Sequence, residues 1–404
     1  MKAKTLPITY NRQTPMSSAH DDPLTFMQMQ RFFDNFTMII PYKMKSLDLS
    51  GYGYKGEVEI LRTPVEDLVH NLKQKSFAEI IKKSPRRKPL LYSPLNPPYK
   101  VNPLNFIMNS PTIAHAYENK RYFRDEFSDL IRMPEYLIKY IDELDRAASF
   151  KELQSEFGFF VLQDEESHGS RGTFIIKSLD QYVDAVRKLK RDSSGRSIVV
   201  SKYVKGNAAS IQVCITKYGI FSSGVQKQLI NSGDLCNLDL DGTAKWCGGE
   251  VGADVSDIVN HQAQEMATIV GSELSRHGYK GIFGIDLIIT PTNEVYAIEI
   301  NARLTGYSHI ISDMQYKEGK IPFMLLHTLE LSNMDYEVTE MDALPSLGAY
   351  KKPVSYMIIC NPLADDFVVK EEIEMGVYKV GSGGLEFVRP GFSICDLKKE
   401  DEIL

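Results

Sequence analysis

Two acidic residues inside an otherwise apolar pair of predicted β-strands constrain the fold of this chain more than any other feature. Residues 284–290 and 295–300 are runs of high β propensity, and the four residues between them, which begin with Pro, are typical of a hairpin turn. A register symmetric about that turn places Asp286 opposite Glu299. Opposed side chains on one face have Cβ atoms about 4.5–5.5 Å apart, where two carboxylates repel each other unless a cation lies between them.

The residues that follow the second strand extend the same face. Side chains alternate along a strand, so Asn301 and Arg303 share the face of Glu299 if the chain remains extended. Carboxylate and amide oxygens suit Mg²⁺, which takes one or two protein carboxylates and fills its other positions with water and phosphate oxygens. The planar guanidinium of Arg303 suits a phosphate or a developing oxyanion.

The alternative interpretation is a solvated hairpin whose acidic side chains face water, as most acidic side chains do. We favour the metal site, because charged groups inside a strongly apolar sequence need a ligand or a partner. The apolar residues around the two acids are Ile282, Phe283, Ile285, Leu287, Ile289, Ile298 and Ile300.

This pattern of residues resembles a known signature. Gly-Ile-Asp at 284–286, followed by Glu-Ile-Asn-Ala-Arg at 299–303, is similar to the metal-binding segment of the ATP-grasp superfamily, which includes D-alanine:D-alanine ligase, biotin carboxylase, carbamoyl phosphate synthetase and the L-amino acid ligases. The resemblance implies that one or two Mg²⁺ ions, or Mn²⁺, are held against the phosphates of ATP by Asp286, Glu299 and Asn301. It implies that Arg303 is the catalytic residue at the reacting centre.

The same resemblance implies a fold and an activity. The fold is α/β, of ATP-grasp type, and the activity is that of an ADP-forming carboxylate–amine ligase. Such an enzyme activates a carboxylate as an acyl phosphate, and an amine then captures it to form an amide or peptide bond. The alternatives are an ATP-grasp kinase with a hydroxyl acceptor, a carboxylase that depends on bicarbonate, and a non-catalytic sensor that binds ATP.

A glycine-containing segment at residues 167–173 lies between two predicted strands. Glycines there allow backbone N–H groups to approach a phosphate closely, although glycines between strands usually only form a turn. The segment resembles the flexible loop that covers the phosphates in ATP-grasp proteins. That resemblance implies ATP contacts from four residues, Gly169, Ser170, Gly172 and Thr173.

Gln163 and Lys120 are two further candidates for contact with the phosphates. ATP-grasp proteins commonly carry a phosphate-contacting Lys at the end of the preceding strand, where this chain has Gln163. An amide can donate a hydrogen bond but supplies no charge, so either another cation compensates or nucleotide affinity is weaker. Lys120, within a helix predicted over residues 114–130, resembles the other phosphate-side Lys of the family; an ordinary surface Lys is the alternative.

The segment 200–206 resembles the strand and hinge that bind the adenine edge in ATP-grasp proteins. The candidates for this contact are Lys202, Tyr203 and Val204, the last two through their main chain. Many members carry Glu at the position of Ser201 and another acid soon after the hinge glycine, and this chain lacks both. The ribose contacts are therefore left open.

The length of 404 residues predicts more than one hydrophobic core, since single cores stop growing at roughly 250–300 residues. We expect an N-terminal α/β domain that precedes the ATP-grasp core over residues 1–113 and a small lid subdomain with the glycine loop over 114–205. A catalytic subdomain over 206–345 and a β-rich segment over 346–404 would follow. Candidates for the substrate side are residues 226–228, 246–249 and 306–308.

Composition bears mainly on the partners. A formal net charge of −6 gives no general attraction for nucleic acid or an anionic membrane, and no stretch approaches the roughly 20 apolar residues of a membrane span. With a polar amino terminus and five scattered cysteines, these features predict a cytoplasmic protein. Its partners would be a small-molecule carboxylate and an amine, amino-acid-like in character, and a homodimer is left open.

Overall fold

The chain forms an α/β structure in which the described residues contain five β-sheets. The computed structural model describes residues 6–12, 16–19, 28–33, 36–41, 57–61, 90–91, 108–144, 147–167, 172–193, 197–230, 246–252, 255–345, 353–357, 376–381, 384–390 and 402–403. The α-helices are α1 Pro111–Glu118, α2 Lys120–Phe127, α3 Ala147–Phe157, α4 Leu179–Asp192, α5 Asp257–Arg276, α6 Ser308–Glu318 and α7 Phe323–Leu331. Short 3-10 helices span Gln28–Arg31, Ile141–Leu144 and Met341–Ala343.

The strands fall into groups along the chain. The first five are β1 Ile8–Tyr10, β2 Met16–Ala19, β3 Phe36–Pro41, β4 Glu57–Leu61 and β5 Leu90–Leu91. The central ones are β6 Tyr136–Tyr140, β7 Phe160–Asp164, β8 Thr173–Ile176, β9 Ser197–Lys202, β10 Asn207–Thr216, β11 Gly219–Ile230, β12 Trp246–Val251, β13 Gly281–Ile289 and β14 Val295–Asn301. The last are β15 Tyr336–Val338, β16 Val354–Met357, β17 Gly376–Gly381, β18 Gly384–Pro390 and β19 Glu402–Ile403.

A six-stranded antiparallel sheet carries the acidic hairpin, in the order β14-β13-β10-β11-β12-β16. Its two faces differ, as the alternation of side chains requires. Along β10, Ala209, Ile211 and Val213 belong to the core that packs against α5, whereas Ser210 and Gln212 are buried polar residues on the opposite face. The sheet therefore presents an apolar face to α5, while its opposite face carries these polar residues beside the candidate site and packs against α7 around Cys214 and Ile282.

The register of the hairpin differs from the symmetric one. Ile289, not Thr290, lies opposite Val295, because the turn closes with a hydrogen bond from the Thr290 N–H to the Glu294 carbonyl (2.9 Å) and with Asn293 in the left-handed conformation (φ 62°). A β-bulge immediately after Asp286 then compensates for the one-residue offset. Asp286 therefore lies opposite Glu299, as predicted, but this pairing depends on a β-bulge that the symmetric register does not have.

A second antiparallel sheet, in the order β6-β9-β7-β8, lies under α3 and α4. Phe160 and Leu162 of β7 are fully buried in the core with Tyr182 of α4. Alternation along β7 directs the intervening Val161 and Gln163 to the opposite face. One face of this sheet is therefore packed by its own helices, and the other faces away from them.

The helix predicted over 114–130 is two helices, because the chain breaks at Asn119. The backbone of Asn119 is extended (φ −67°, ψ 116°), and its side chain accepts a hydrogen bond from the Tyr122 N–H (2.9 Å). This is an N-cap, which satisfies a backbone donor at the start of α2. The break creates a corner between α1 and α2 that contributes to the candidate site.

The ends of the chain contribute smaller sheets. β1 pairs with β15, β2 to β5 form a parallel sheet in the order β4-β3-β2-β5, and β17 pairs with β18 and β19. β16 lies within the proposed segment 346–404 and pairs with β12, so this segment adds a strand to the sheet of the hairpin. In the part of the chain that the structure describes, no helix combines the length and the apolarity needed to cross a bilayer.

Candidate active site

The opposed carboxylates of β13 and β14 are the centre of the site. Asp286 accepts two hydrogen bonds, from the Gln228 Nε2 to Oδ1 (2.9 Å) and from the Asn301 Nδ2 to Oδ2 (3.1 Å). Glu299 lies directly opposite and keeps 26% of its side chain exposed. Neutral amides thus hold Asp286, while Glu299 remains partly exposed to solvent, an arrangement that suits binding of a cation.

The two carboxyl groups differ in acidity. Burial raises the pKa of Asp286 to about 7, and the negative charge of Glu299 adds to this effect. Burial also acts to raise the pKa of Glu299, but the Lys120 ammonium and the hydrogen bond with Asp286 outweigh it and lower that pKa. Glu299 therefore stays ionised while Asp286 holds a proton up to neutral pH, and a divalent cation would displace this proton.

Lys120 is buried at the start of α2, with 4% of its side chain exposed. Its Nζ lies 3.5 Å from the Glu299 Oε2 and donates a hydrogen bond to the Ser167 carbonyl (2.6 Å). The alternative of an ordinary surface Lys is wrong. Lys120 joins the hairpin to the residue that begins the predicted glycine loop.

Arg303 also has fixed partners. Its Nη2 donates a hydrogen bond to the Asn301 Oδ1 (2.7 Å), and its Nε lies 3.1 Å from the Glu118 Oε1. Glu118 is buried at the end of α1, and among the described residues its oxygens accept no hydrogen bond. Two residues at the corner between α1 and α2 thus form ion pairs with the hairpin segment. Glu118 pairs with Arg303, and Lys120 pairs with Glu299.

Gln163 points to the same region. Its Oε1 accepts a hydrogen bond from the Nη2 of Arg124 (2.8 Å), whose Nη1 donates to the Lys120 carbonyl (3.1 Å). Sequence reasoning missed both Arg124 and Glu118. Arg124 carries a usable signal, because it follows Lys120 by four residues, which is one helical turn and places both on one face of α2.

Of the four residues predicted to contact ATP from the glycine loop, the structure describes Gly172 and Thr173. Gly169 and Ser170 lie outside the described residues. Gly172 has a left-handed φ of 74°, and a Cβ there would lie 3.0 Å from the Asp164 Cβ, so both the backbone and the packing require glycine. Thr173 begins β8 and lies opposite Gln163.

The predicted hinge follows β9. Lys202 forms an ion pair with Glu135 (3.2 Å), and the Tyr203 N–H donates to the Phe159 carbonyl (2.9 Å). The Tyr203 N–H is therefore already used, and the main-chain atom of Tyr203 that can contact a ligand is its carbonyl oxygen. Among the described residues the Val204 N–H has no hydrogen-bond partner.

The residues predicted for the substrate side come together around an aromatic pair. The Trp246 Nε1 donates to the Tyr307 hydroxyl (3.1 Å), which in turn bonds the Gly248 carbonyl (2.9 Å). Any Cβ at Gly306 would overlap the Trp246 ring. Gln228, the last residue of the predicted run 226–228, instead contacts the acidic pair.

The candidate metal-binding donors at the hairpin are two carboxylates and one amide. No group of three or more His, Cys, Asp and Glu side chains that could hold a metal is present among the described residues. Two carboxylates and an amide fit Mg²⁺, which keeps water or phosphate oxygens in its remaining positions.

Comparison with known proteins supports the fold. Residues 117–307 match a family model described as an ATP-grasp domain, and the match runs from the end of α1 through the sheet of β6 to β9 to the acidic hairpin. No curated protein sequence matches the chain.

Several solved structures share the fold at low sequence identity. The ADP complex of N5-carboxyaminoimidazole ribonucleotide synthetase is similar with a TM-score of 0.59 at 13% identity, over 86% of this chain and 82% of that one. L-amino acid ligase from Bacillus licheniformis gives 0.57 at 14% identity, over 82% and 77%. The biotin carboxylase domain of 2-oxoglutarate carboxylase from Hydrogenobacter thermophilus, in complex with MgADP, ADP and bicarbonate, gives 0.54 at 11%, over 82% and 72%. The predicted α/β ATP-grasp fold is confirmed.

Proposed function

We propose that the chain is an ATP-dependent carboxylate–amine ligase, which forms an amide or peptide bond through an acyl phosphate and releases ADP. The observation that carries this proposal is the pair Asp286–Glu299, opposed on β13 and β14 inside an ATP-grasp domain and linked through Asn301 to Arg303. Phosphoryl transfer depends mostly on positioning and electrostatics, and this network supplies both.

The metal fits the residues present. Asp286, Glu299 and Asn301 would hold one or two Mg²⁺ ions, which would neutralise charge on the phosphates of ATP. The Asn301 Oδ1 accepts from Arg303 and retains a second lone pair for a cation. The raised pKa of Asp286, caused first by burial and then by the charge of Glu299, supports the assignment, because a bound cation would favour the ionised form of both carboxylates.

Arg303 is the candidate for the reacting centre. Asn301 and Glu118 hold two of its nitrogens, so the remaining donors of the planar fork have a fixed direction. In the proposed reaction Arg303 orients the substrate carboxylate and stabilises the oxyanion formed when the amine attacks. Lys120 supplies a second positive charge, next to Glu299 and below the predicted phosphate loop.

The proposed substrates are a small carboxylate and an amine with amino-acid-like character. The fold shared with L-amino acid ligase supports this class, as do the buried polar side chains of Ser210 and Gln212 on β10. Trp246 and Tyr307 would form one wall of the substrate site. Their contact is held in place because the Trp246 indole donates to the Tyr307 hydroxyl, which donates to the Gly248 carbonyl. The proposal includes a cytoplasmic location and leaves a homodimer open.

The direct test is ADP and phosphate release from Mg-ATP in the presence of pooled amino acids and small carboxylic acids, with mass spectrometry for new amides. The variants are Glu299→Gln and, as a matched control, Glu294→Gln in the exposed hairpin turn. The proposal predicts substrate-stimulated release and a new amide mass for the wild type and the control, and neither for Glu299→Gln.

Other outcomes would replace the proposal. Turnover that depends on bicarbonate, without an amide product, would indicate a carboxylase. A phosphorylated hydroxyl compound would indicate a kinase. Binding of ATP with no turnover for any acid and amine pair would indicate a sensor.

A further inference from the structure

Arg124 is a buried cation that forms no ion pair with the described residues, although the charge of Glu299 acts on it from farther away. It is 1% exposed, and among the described residues no carboxylate lies within 4.0 Å of its guanidinium. Its Nη groups donate to the Lys120 carbonyl and to the Gln163 Oε1, and its Nε has no hydrogen-bond partner in the described part of the chain. Buried charges are normally paired, so this guanidinium indicates an anion that binds nearby.

The contact with Arg124 fixes the orientation of Gln163. A guanidinium only donates hydrogen bonds, so the atom of Gln163 that faces it must be the carbonyl oxygen. The Nε2 of Gln163 is then directed away from Arg124, and it has no partner among the described residues. Gln163 is therefore a buried amide that presents a fixed donor at the end of β7.

This donor lies beside the rest of the candidate site. Thr173, after the glycine segment, is opposite Gln163 on β8, and Lys120 occupies the helical turn before Arg124. Burial lowers the pKa of Arg124 to about 10, with the charge of Glu299 acting in the other direction, so Arg124 remains charged at neutral pH.

We propose that Gln163 and Arg124 form one phosphate-binding unit. The Nε2 of Gln163 donates to a phosphate oxygen of the nucleotide, and Arg124 acts as a positioning residue that orients the amide and supplies the positive charge that glutamine lacks. This inference rests on the proposed use of ATP and assigns Arg124 as the cation that compensates for the absence of a lysine at position 163. The unit recognises phosphate and does not contact the adenosine part.

The test measures the affinity for Mg-ATP by calorimetry and the affinity for adenosine by ligand-observed NMR. Gln163→Glu keeps the shape and the contact with Arg124 but replaces the donor with a carboxylate oxygen. We expect it to weaken ATP binding by about 10- to 100-fold, the range for a hydrogen bond to a charged group, while adenosine binding is unchanged. Gln154→Glu is the matched control, since Gln154 is exposed on α3 of the same subdomain, and should leave both affinities unchanged.

The outcomes separate the inference from the proposed function. If the wild type does not bind Mg-ATP, the proposed function fails. If the wild type binds and Gln163→Glu binds ATP equally well, or loses ATP and adenosine affinity in proportion, the phosphate-binding unit is overturned.

A second variant covers the case in which Gln163→Glu does not fold. Arg124→Lys keeps the charge but lacks the planar fork that holds both the Lys120 carbonyl and Gln163. It should weaken ATP binding selectively over adenosine, and unchanged ATP affinity in this variant would overturn the proposal.

Discussion

Asp286 lies opposite Glu299 because a β-bulge immediately after Asp286 offsets the two strands by one residue. Without the bulge, the register that begins at Ile289 and Val295 would carry the acids past each other. A one-residue slip also moves side chains to the other face of the sheet. The pairing of the two acids therefore depends on the local geometry of the hairpin as well as on its sequence alternation.

The turn that sets this register can be tested at Asn293, which has a positive φ of 62°. Asn293→Gly should fold with nearly unchanged stability, because glycine adopts this conformation freely. Asn293→Val should lower the free energy of unfolding by about 1–3 kcal/mol, since a β-branched residue is strained there. Urea denaturation of the two variants compares them; equal stability would contradict the described turn.

The acidity of Asp286 predicts a pH dependence. The folded protein retains a proton on Asp286 to about pH 7, whereas an unfolded chain releases it near pH 4. Between these values the folded state binds more protons, so the stability contributed by this group is lost as the pH rises through 7. In EDTA, the difference in melting temperature between wild type and Asp286→Asn should therefore change between pH 5 and pH 8. A difference that is constant with pH would show that Asp286 titrates normally.

Glu118 should act through Arg303. Glu118→Gln keeps the shape but removes the buried charge 3.1 Å from the guanidinium, so Arg303 loses one of the two contacts that orient it. We expect kcat/KM to fall by about 10- to 100-fold, as for other small displacements of a reacting group, with little change in the affinity for ATP. Steady-state kinetics and calorimetry on the same variant test this. A loss of ATP affinity that matches the loss in kcat/KM would place Glu118 in nucleotide binding instead.

Lys120 should contribute charge to the nucleotide site. Lys120→Met removes the ammonium beside Glu299, and the loss of a charged hydrogen bond of about 1.5–3 kcal/mol predicts a fall in kcat/KM for ATP of about 10- to 100-fold. Lys151→Met on the exposed side of α3 is the control. Similar kinetics for the two variants would argue that Lys120 is only structural.

Much of the site was predictable where one local pattern determines it. Alternation and apolar flanks predict that Asp286, Glu299 and Asn301 share a face, and the spacing after Glu299 includes Arg303. The bulge after Asp286 was not predictable, because it compensates for a one-residue offset at the turn, and the sequence of the turn allows more than one register. The partners of Gln163 and Arg303 come from a helix corner more than 35 residues away in the chain, and only the tertiary fold brings them together.

The acidic pair Asp286–Glu299 is the proposed cation site for ATP. Calorimetric titration with ATP, with and without Mg²⁺, tests it in the wild type, in Glu299→Gln and in the control Glu294→Gln. We predict that Mg²⁺ strengthens ATP binding in the wild type and in Glu294→Gln, and that this enhancement is lost in Glu299→Gln. An equal enhancement by Mg²⁺ in all three proteins would contradict the assignment of Glu299 as a metal ligand.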